Sequence, residues 1–224
     1  MADLRAGVAA LYVDPRGPYP ALLGPERCWD VTRDARLYDG PYPVVAHPPC
    51  ERWGRYWGGG PSAKRKYSLG DDNGCFEAAL AYVRRWGGVL EHPEGSHAFR
   101  RFDLALPRWR AGWRYSGGSA GGHGWTCCVA QGNYGHRARK LTWLYFFGQS
   151  TSAPPEGDWS IPAPRARLDY GFHSAEERAA KRGDVAPRVN RTRLSARENI
   201  CTPVAFAEWL ISLAAQAQPA ARSA

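Results

Sequence analysis

Between residues 43 and 93 the sequence spells strand, helix, strand in a form that few architectures accept. Pro43-Val44-Val45-Ala46 is a short apolar run closed by His47-Pro48-Pro49-Cys50. Phe76, Ala79, Leu80 and Val83 then fall at i, i+3, i+4 and i+7, one face of a 3.6-residue period. Asp71, Asp72 or Asn73 can cap that helix, and Gly87-Gly88 stops it. Val89-Leu90 follows as a second short strand, which delivers Glu91 to its end and breaks at Pro93. Short buried strands separated by a helix bury their faces best as an α/β layered sheet. Open sheets of that kind bind ligands at the carboxyl ends of their strands. Cys50 and Glu91 both stand at such ends, in turns stiffened by proline.

The rest of the chain is consistent with one domain spanning residues 1–215. Residues 7–13 read as another short buried strand, broken by Asp14-Pro15-Arg16-Gly17-Pro18. Residues 51–73 carry Gly58-Gly59-Gly60 and Lys64-Arg65-Lys66, the composition of a basic loop, and residues 95–124 read as irregular. Residues 126–130 and 142–147 read as strands flanking Asn133-Tyr134-Gly135. Residues 149–198 are a variable insert with little periodicity. A final helix is expected over 202–214, with Thr202 as cap, Pro203 in its first position and a stripe of Phe206, Leu210 and Leu213. Residues 216–224 read as a disordered tail.

Composition narrows the partners. The formal net charge of +9 and the abundance of arginine favour a polyanion, with DNA or a nucleotide the usual one. Ten Trp and eleven Tyr serve a core and also stack on bases. No stretch reaches the ~18 apolar residues of a membrane span, and no signal-peptide order is seen at the N-terminus, so a cytoplasmic protein is expected. Cys28, Cys50, Cys75, Cys127, Cys128 and Cys201 lack both the spacing of a disulfide framework and any CxxC pair, so reduced thiols and no metal site are expected.

A thiol and a carboxylate on one sheet edge suit pyrimidine chemistry. Carbon 5 of cytosine is a poor nucleophile until a thiolate adds to carbon 6 and makes it enamine-like. A carboxylic acid near ring nitrogen 3 stabilises the charge that develops, and a nearby cation lowers the thiol pKa. Arg52, Arg137, Arg139 and Lys140 are the candidates for that cation.

Five segments, in order, resemble motifs of the cytosine-C5 DNA methyltransferases. Residues 44–50 resemble the Pro-Cys motif, and Val89-Leu90-Glu91-His92-Pro93 the Leu-Glu-Asn-Val motif with His92 in place of Asn. Residues 131–142 are similar to the Tyr-Gly-x-x-Gln-x-Arg-x-Arg motif. Asp34-Ala35-Arg36 resembles the acidic motif before the catalytic strand. Glu198-Asn199-Ile200-Cys201-Thr202-Pro203-Val204 resembles the Gly-Asn-x-Val-x-Pro motif of the last helix. The pattern is also similar to small bacteriophage proteins. The resemblance implies a reduced Rossmann-like methyltransferase sandwich, with a mostly parallel sheet and a minimal or absent target-recognition domain.

It further implies that Cys50 is the nucleophile, that Glu91 contacts the cytosine edge and donates a proton, and that Arg139 and Lys140 supply catalytic charge. His47, Pro49, Arg52, His92, Arg137 and Thr142 fall to the substrate, and Asp14, Asp34 and Asn199 to S-adenosylmethionine or a derivative. Aligning Tyr134-Gly135 puts Ala138 at the motif's Gln, Lys140 at its first Arg and Thr142 at its second.

The glycine-rich cofactor loop of that family has no counterpart here, where Leu11-Tyr12-Val13-Asp14-Pro15-Arg16-Gly17 stands instead. Two alternatives therefore stand beside cytosine-C5 modification. One is a pyrimidine-modifying or deaminating enzyme that keeps Cys50 addition without S-adenosylmethionine. The other is a catalytically silent DNA-binding accessory or anti-restriction protein.

Overall fold

The computed structural model describes residues 7–54, 57–58, 67–119, 121–162, 166–167 and 192–217. Its centre is a seven-stranded sheet. The strands are β1 (Ala9–Leu11), β2 (Cys28–Trp29), β3 (Val44–Ala46), β4 (Gly88–Pro93), β5 (Arg114–Ser119), β6 (Gly122–Ala130) and β7 (Leu141–Gly148). They lie side by side in the order β2-β1-β3-β4-β7-β6-β5. The helices of the described residues are α1 (Tyr19–Leu23), α2 (Cys75–Trp86), α3 (His97–Arg101), α4 (Ala196–Ile200) and α5 (Val204–Gln216), with short 3₁₀ turns between.

The first four strands run parallel, with Ala10 opposite Val45 and Val45 opposite Val89. From β4 onward the strands of this sheet pair antiparallel: Leu90 faces Tyr145, and Thr126 faces Tyr145 from the other side. The expectation of a mostly parallel sheet therefore holds for one half only. The cause is the β6–β7 hairpin. Its strands are joined by residues 131–140 alone, too short a link for a parallel crossover, so they pair antiparallel, and the hairpin inserts β7 next to β4.

Strand alternation sends neighbouring residues to opposite faces of the sheet. Leu11, Ala46, Leu90, Tyr145 and Phe147 pack under α2 and α3 with Phe76, Val83 and Phe99. Ala10, Val45, Val89, Leu144 and Phe146 pack under α5 with Phe206, Leu210 and Leu213. Both faces are thus covered, as the near-continuous apolar runs of β3 and β4 require.

Local signals explain most boundaries. Helix α2 buries Phe76, Ala79, Leu80 and Val83, as their spacing predicts. Asp72 accepts hydrogen bonds from the N–H groups of Gly74 (3.1 Å) and Phe76 (2.9 Å). The helix ends at Gly87 (φ 78°), and at Gly88 (φ 123°) a side chain would run into the Val44 carbonyl oxygen.

Three expectations are corrected. Residues 95–124 are not irregular: they hold α3, β5 and the start of β6. Strand β5 escapes notice because it is an exposed edge strand with no apolar alternation. Thr202 does not cap the last helix, which starts at Val204 with Pro203 as its extended flanking residue. That helix runs on through Gln216, and Ala217 after it is buried, so residues 216 and 217 are ordered; the rest of the expected tail, 218–224, lies outside the described residues. The Lys64-Arg65-Lys66 run and most of the 149–198 insert lie outside the described residues. Among the described residues, no helix is long and apolar enough to cross a membrane.

Candidate active site

Chain connections leave β1 toward β2 on one side and β3 toward β4 on the other, so β1 and β3 form a topological switch point. In open α/β sheets the crevice beyond such strand ends is the place for a ligand. A cleft of about 410 Å³ lies there. Its walls are the turn after β1 (Tyr12 to Tyr19), the turn after β3 (His47 to Cys50), Glu91 and Pro93 of β4, Lys140 ahead of β7, and residues 197–202 around α4.

A chain of hydrogen bonds crosses its floor. The buried Tyr19 hydroxyl stands 2.6 Å from His47 Nε2, and His47 Nδ1 stands 2.9 Å from Glu91 Oε2. The second Glu91 oxygen accepts from Gln131 Nε2 at 3.2 Å, and the same amide donates to Thr142 Oγ1 at 2.9 Å. Burial would raise the Glu91 pKa, but the His47 hydrogen bond and the charges of His47 and Lys140 outweigh it and hold the carboxyl below its ordinary range. Glu91 is therefore a carboxylate, and His47 Nδ1 carries the hydrogen that faces it.

Cys50 is set by its turn: its carbonyl accepts from the Trp53 and Gly54 N–H groups at 3.1 and 2.8 Å. Burial pushes the thiol pKa up, the negative charge of Glu91 pushes it further, and Lys140 opposes both. Burial also draws the Lys140 pKa down, against the pull of Glu91. Lys140 adopts a left-handed backbone (φ 40°), and its ammonium donates to the Cys201 carbonyl at 3.1 Å. The cleft thus gathers the Cys50 thiol, the Glu91 carboxylate and the Lys140 side chain, the last tied to the end of α4 through the Cys201 carbonyl.

The sequence-derived candidates divide. His47, Pro49, Cys50, Glu91, Lys140, Asp14 and Asn199 line the cleft. Six others do not. Arg139, one residue from Lys140, turns away to lie over the Trp109 ring, 5.0 Å from its centroid. Arg52 stacks on Tyr67 (3.4 Å), and Arg137 pairs with Glu198 (2.7 Å) and so fastens the β6–β7 turn to α4. Thr142 is fully buried behind Gln131. His92 is buried against Phe76 and bonded to Ser96 Oγ at 2.6 Å; burial lowers its pKa to about 4, so it is a neutral core group. Asp34 caps the turn at 35–37 and is held by Arg36 at 2.7 Å.

Two residues of the site were missed. Tyr19 directly follows the turn after β1, and a residue there belongs to the same sheet edge. Gln131 opens the loop after β6, whereas the motif alignment assigns its role to Ala138, which is buried with Ala166 and Leu194.

S-adenosylmethionine does not fit the residues present. The Asp14 carboxylate is folded back on Arg16, by its N–H at 2.9 Å and its Nε at 3.3 Å. The turn after β1 is Asp14-Pro15-Arg16-Gly17-Pro18 and not a glycine-rich loop, and Asp34 is engaged by Arg36. The cleft is near the lower end of the roughly 300–1,000 Å³ usual for small-molecule sites. Among the described residues it offers room for a nucleoside-sized guest. Among the described residues no group of three or more His, Cys, Asp or Glu is placed to hold a metal ion. Comparison with family models, with curated proteins and with solved structures gives no match for this chain.

Proposed function

We propose that this protein activates a pyrimidine ring, cytosine in DNA or in a nucleotide, by adding Cys50 Sγ to carbon 6. The observation that carries the reading is the cleft at the switch point, which Cys50, Glu91 and Lys140 line together. One proton serves both groups. Glu91 takes it from Cys50, Sγ bonds to carbon 6, the ring π electrons shift toward carbon 5, and Glu91 passes the proton to nitrogen 3. Carbon 5 becomes enamine-like and accepts an electrophile. Loss of the carbon 5 proton, with expulsion of Sγ, restores aromaticity and returns the first proton to the thiol. Lys140 offsets the negative charge that passes between the two groups.

The net charge of +9 supports a polyanionic substrate, and a base in duplex DNA has to leave the stack to reach Cys50 in the cleft. The poor fit to S-adenosylmethionine supports a version in which the activated ring is used without it. Solvent protons then serve as the electrophile, and water attack at carbon 4 with loss of ammonia is the accompanying deamination.

The test needs no cofactor. The full-length protein is incubated with deoxycytidine monophosphate or single-stranded DNA in deuterium oxide, and nucleosides are read by mass spectrometry. Deuterium at carbon 5 with the wild type, lost in Cys50→Ala, is the expected result. No deuterium and no deoxyuridine with the wild type on either substrate overturns the reading in favour of a silent binding protein.

A further inference from the structure

The sequence makes His47 a substrate contact, yet both of its ring nitrogens are engaged within the protein. Nε2 faces the Tyr19 hydroxyl at 2.6 Å and Nδ1 faces Glu91 at 2.9 Å, with the imidazole side chain 12 % exposed. A ring held at both ends has no N–H left to offer a ligand. Glu91, as a carboxylate, accepts from the His47 Nδ1–H, while Nε2 is paired with the Tyr19 hydroxyl. The Tyr19 contact holds the ring from its far side and so keeps Nδ1 aimed at the carboxylate.

Three separate segments build this chain: α1 supplies Tyr19, the turn after β3 supplies His47 and β4 supplies Glu91. Tyr19 is fully engaged in the core, packed with Leu23, Val45 and Phe206, so its hydroxyl is aimed by the fold and not by solvent. The same triad logic, in which a buried group orients an imidazole that in turn sets a reactive partner, operates in hydrolases with the roles distributed differently.

We propose that His47, backed by Tyr19, is the positioning residue that keeps Glu91 ionised and fixed, ready to take the Cys50 proton. It acts through Glu91 and does not touch the substrate. The inference rests on the proposed Cys50 chemistry only for where the proton goes next; the control of Glu91 itself is a property of the free protein. Every charged or titratable group near the pair bears on it: Tyr19 from α1 with Cys28 beside it, Cys50 and Glu51 from the turn after β3, His92 from β4 and Lys140 from ahead of β7. Of these only His47 hydrogen-bonds Glu91, apart from the uncharged Gln131.

The experiment is infrared spectroscopy of the free full-length protein as a function of pH, with the Glu91 carboxyl band identified by difference against Glu91→Gln. His47→Leu removes the donor, His47→Asn keeps an N–H in its place, and Tyr19→Phe removes only the far hydroxyl. The expected result is a Glu91 midpoint raised by about one pH unit or more in His47→Leu, raised less in Tyr19→Phe, and restored toward wild type in His47→Asn. Should His47→Leu fail to fold, Tyr19→Phe still decides, because it leaves the ring that packs in the core. A Glu91 midpoint that is unmoved in the folded variants overturns the inference. Since no substrate is present, that outcome is separate from a failure of carbon 5 exchange, which would instead strike the proposed function.

Discussion

Cys50 stands between two opposed influences whose signs can be tested one residue at a time. Its thiol is held up by burial and by the Glu91 charge and is eased down by Lys140. Alkylation by iodoacetamide follows the thiolate fraction, and reading it peptide by peptide separates Cys50 from Cys28, Cys75 and Cys201. Removing the negative neighbour in Glu91→Gln lowers the thiol pKa, so near neutral pH Cys50 reacts faster, by about threefold to tenfold. Lys140→Met moves the midpoint the other way and slows the reaction. An unchanged midpoint in Glu91→Gln would contradict the charge coupling on which the proton transfer depends. The pair Arg139 and Lys140 makes the same point about direction. Both are basic, and the motif alignment puts Lys140, not Arg139, at a family arginine. The left-handed backbone at Lys140 helps to turn its side chain into the cleft, while Arg139 settles on Trp109.

Elements matter to the site through how they are fastened. The turn that carries Cys50 continues to Trp53, whose indole N–H donates to Asp72 Oδ2 at 2.7 Å while its ring packs on Phe76 and Phe102. Asp72 also accepts from the Phe76 N–H, so one carboxylate joins the Cys50 turn to the start of α2. Asp72→Ala removes the acceptor of the Gly74 and Phe76 N–H groups at the start of α2, whose N-cap is Gly74, at about 1 kcal/mol. It also strands a buried indole N–H at about 1–3 kcal/mol. Urea denaturation should show a loss of about 2–4 kcal/mol, and Asp72→Asn, which keeps one acceptor oxygen, should lose less; a cost near zero for Asp72→Ala would mean the turn is held by other contacts. Helix α2 was legible from its period and its terminal glycines because those signals are local. The β5 edge strand and the five-residue α3 were not, since neither carries enough apolar periodicity to stand out from a loop.

At the level of the whole molecule, one sheet separates two cores that share its strands. Tyr145 faces one cluster and its neighbour Leu144 the other. Phe99 and Phe206 are each fully buried, on opposite faces. Truncating either to alanine removes a large buried ring at about 3–5 kcal/mol. Because both faces hang on the same strands, each variant should shift one common transition. Tryptophan fluorescence and far-ultraviolet circular dichroism should then give coincident urea curves, and two separated transitions would refute the shared-sheet account. What the amino-acid order determined by itself is the strand–helix–strand block and the placing of Cys50 in the turn beyond β3, because periodicity, proline and glycine act within a few residues; Glu91, expected at the end of its strand, lies inside β4, which pairs with β7 as far as Pro93. The tertiary structure alone decided that β7 enters between β4 and β6, that Gln131 rather than Ala138 meets Glu91, and that Tyr19 and His47 stand behind it. Those partners are 28 to 44 residues apart along the chain. Which side chains meet across such distances depends on strand register and backbone direction, neither of which a local pattern contains.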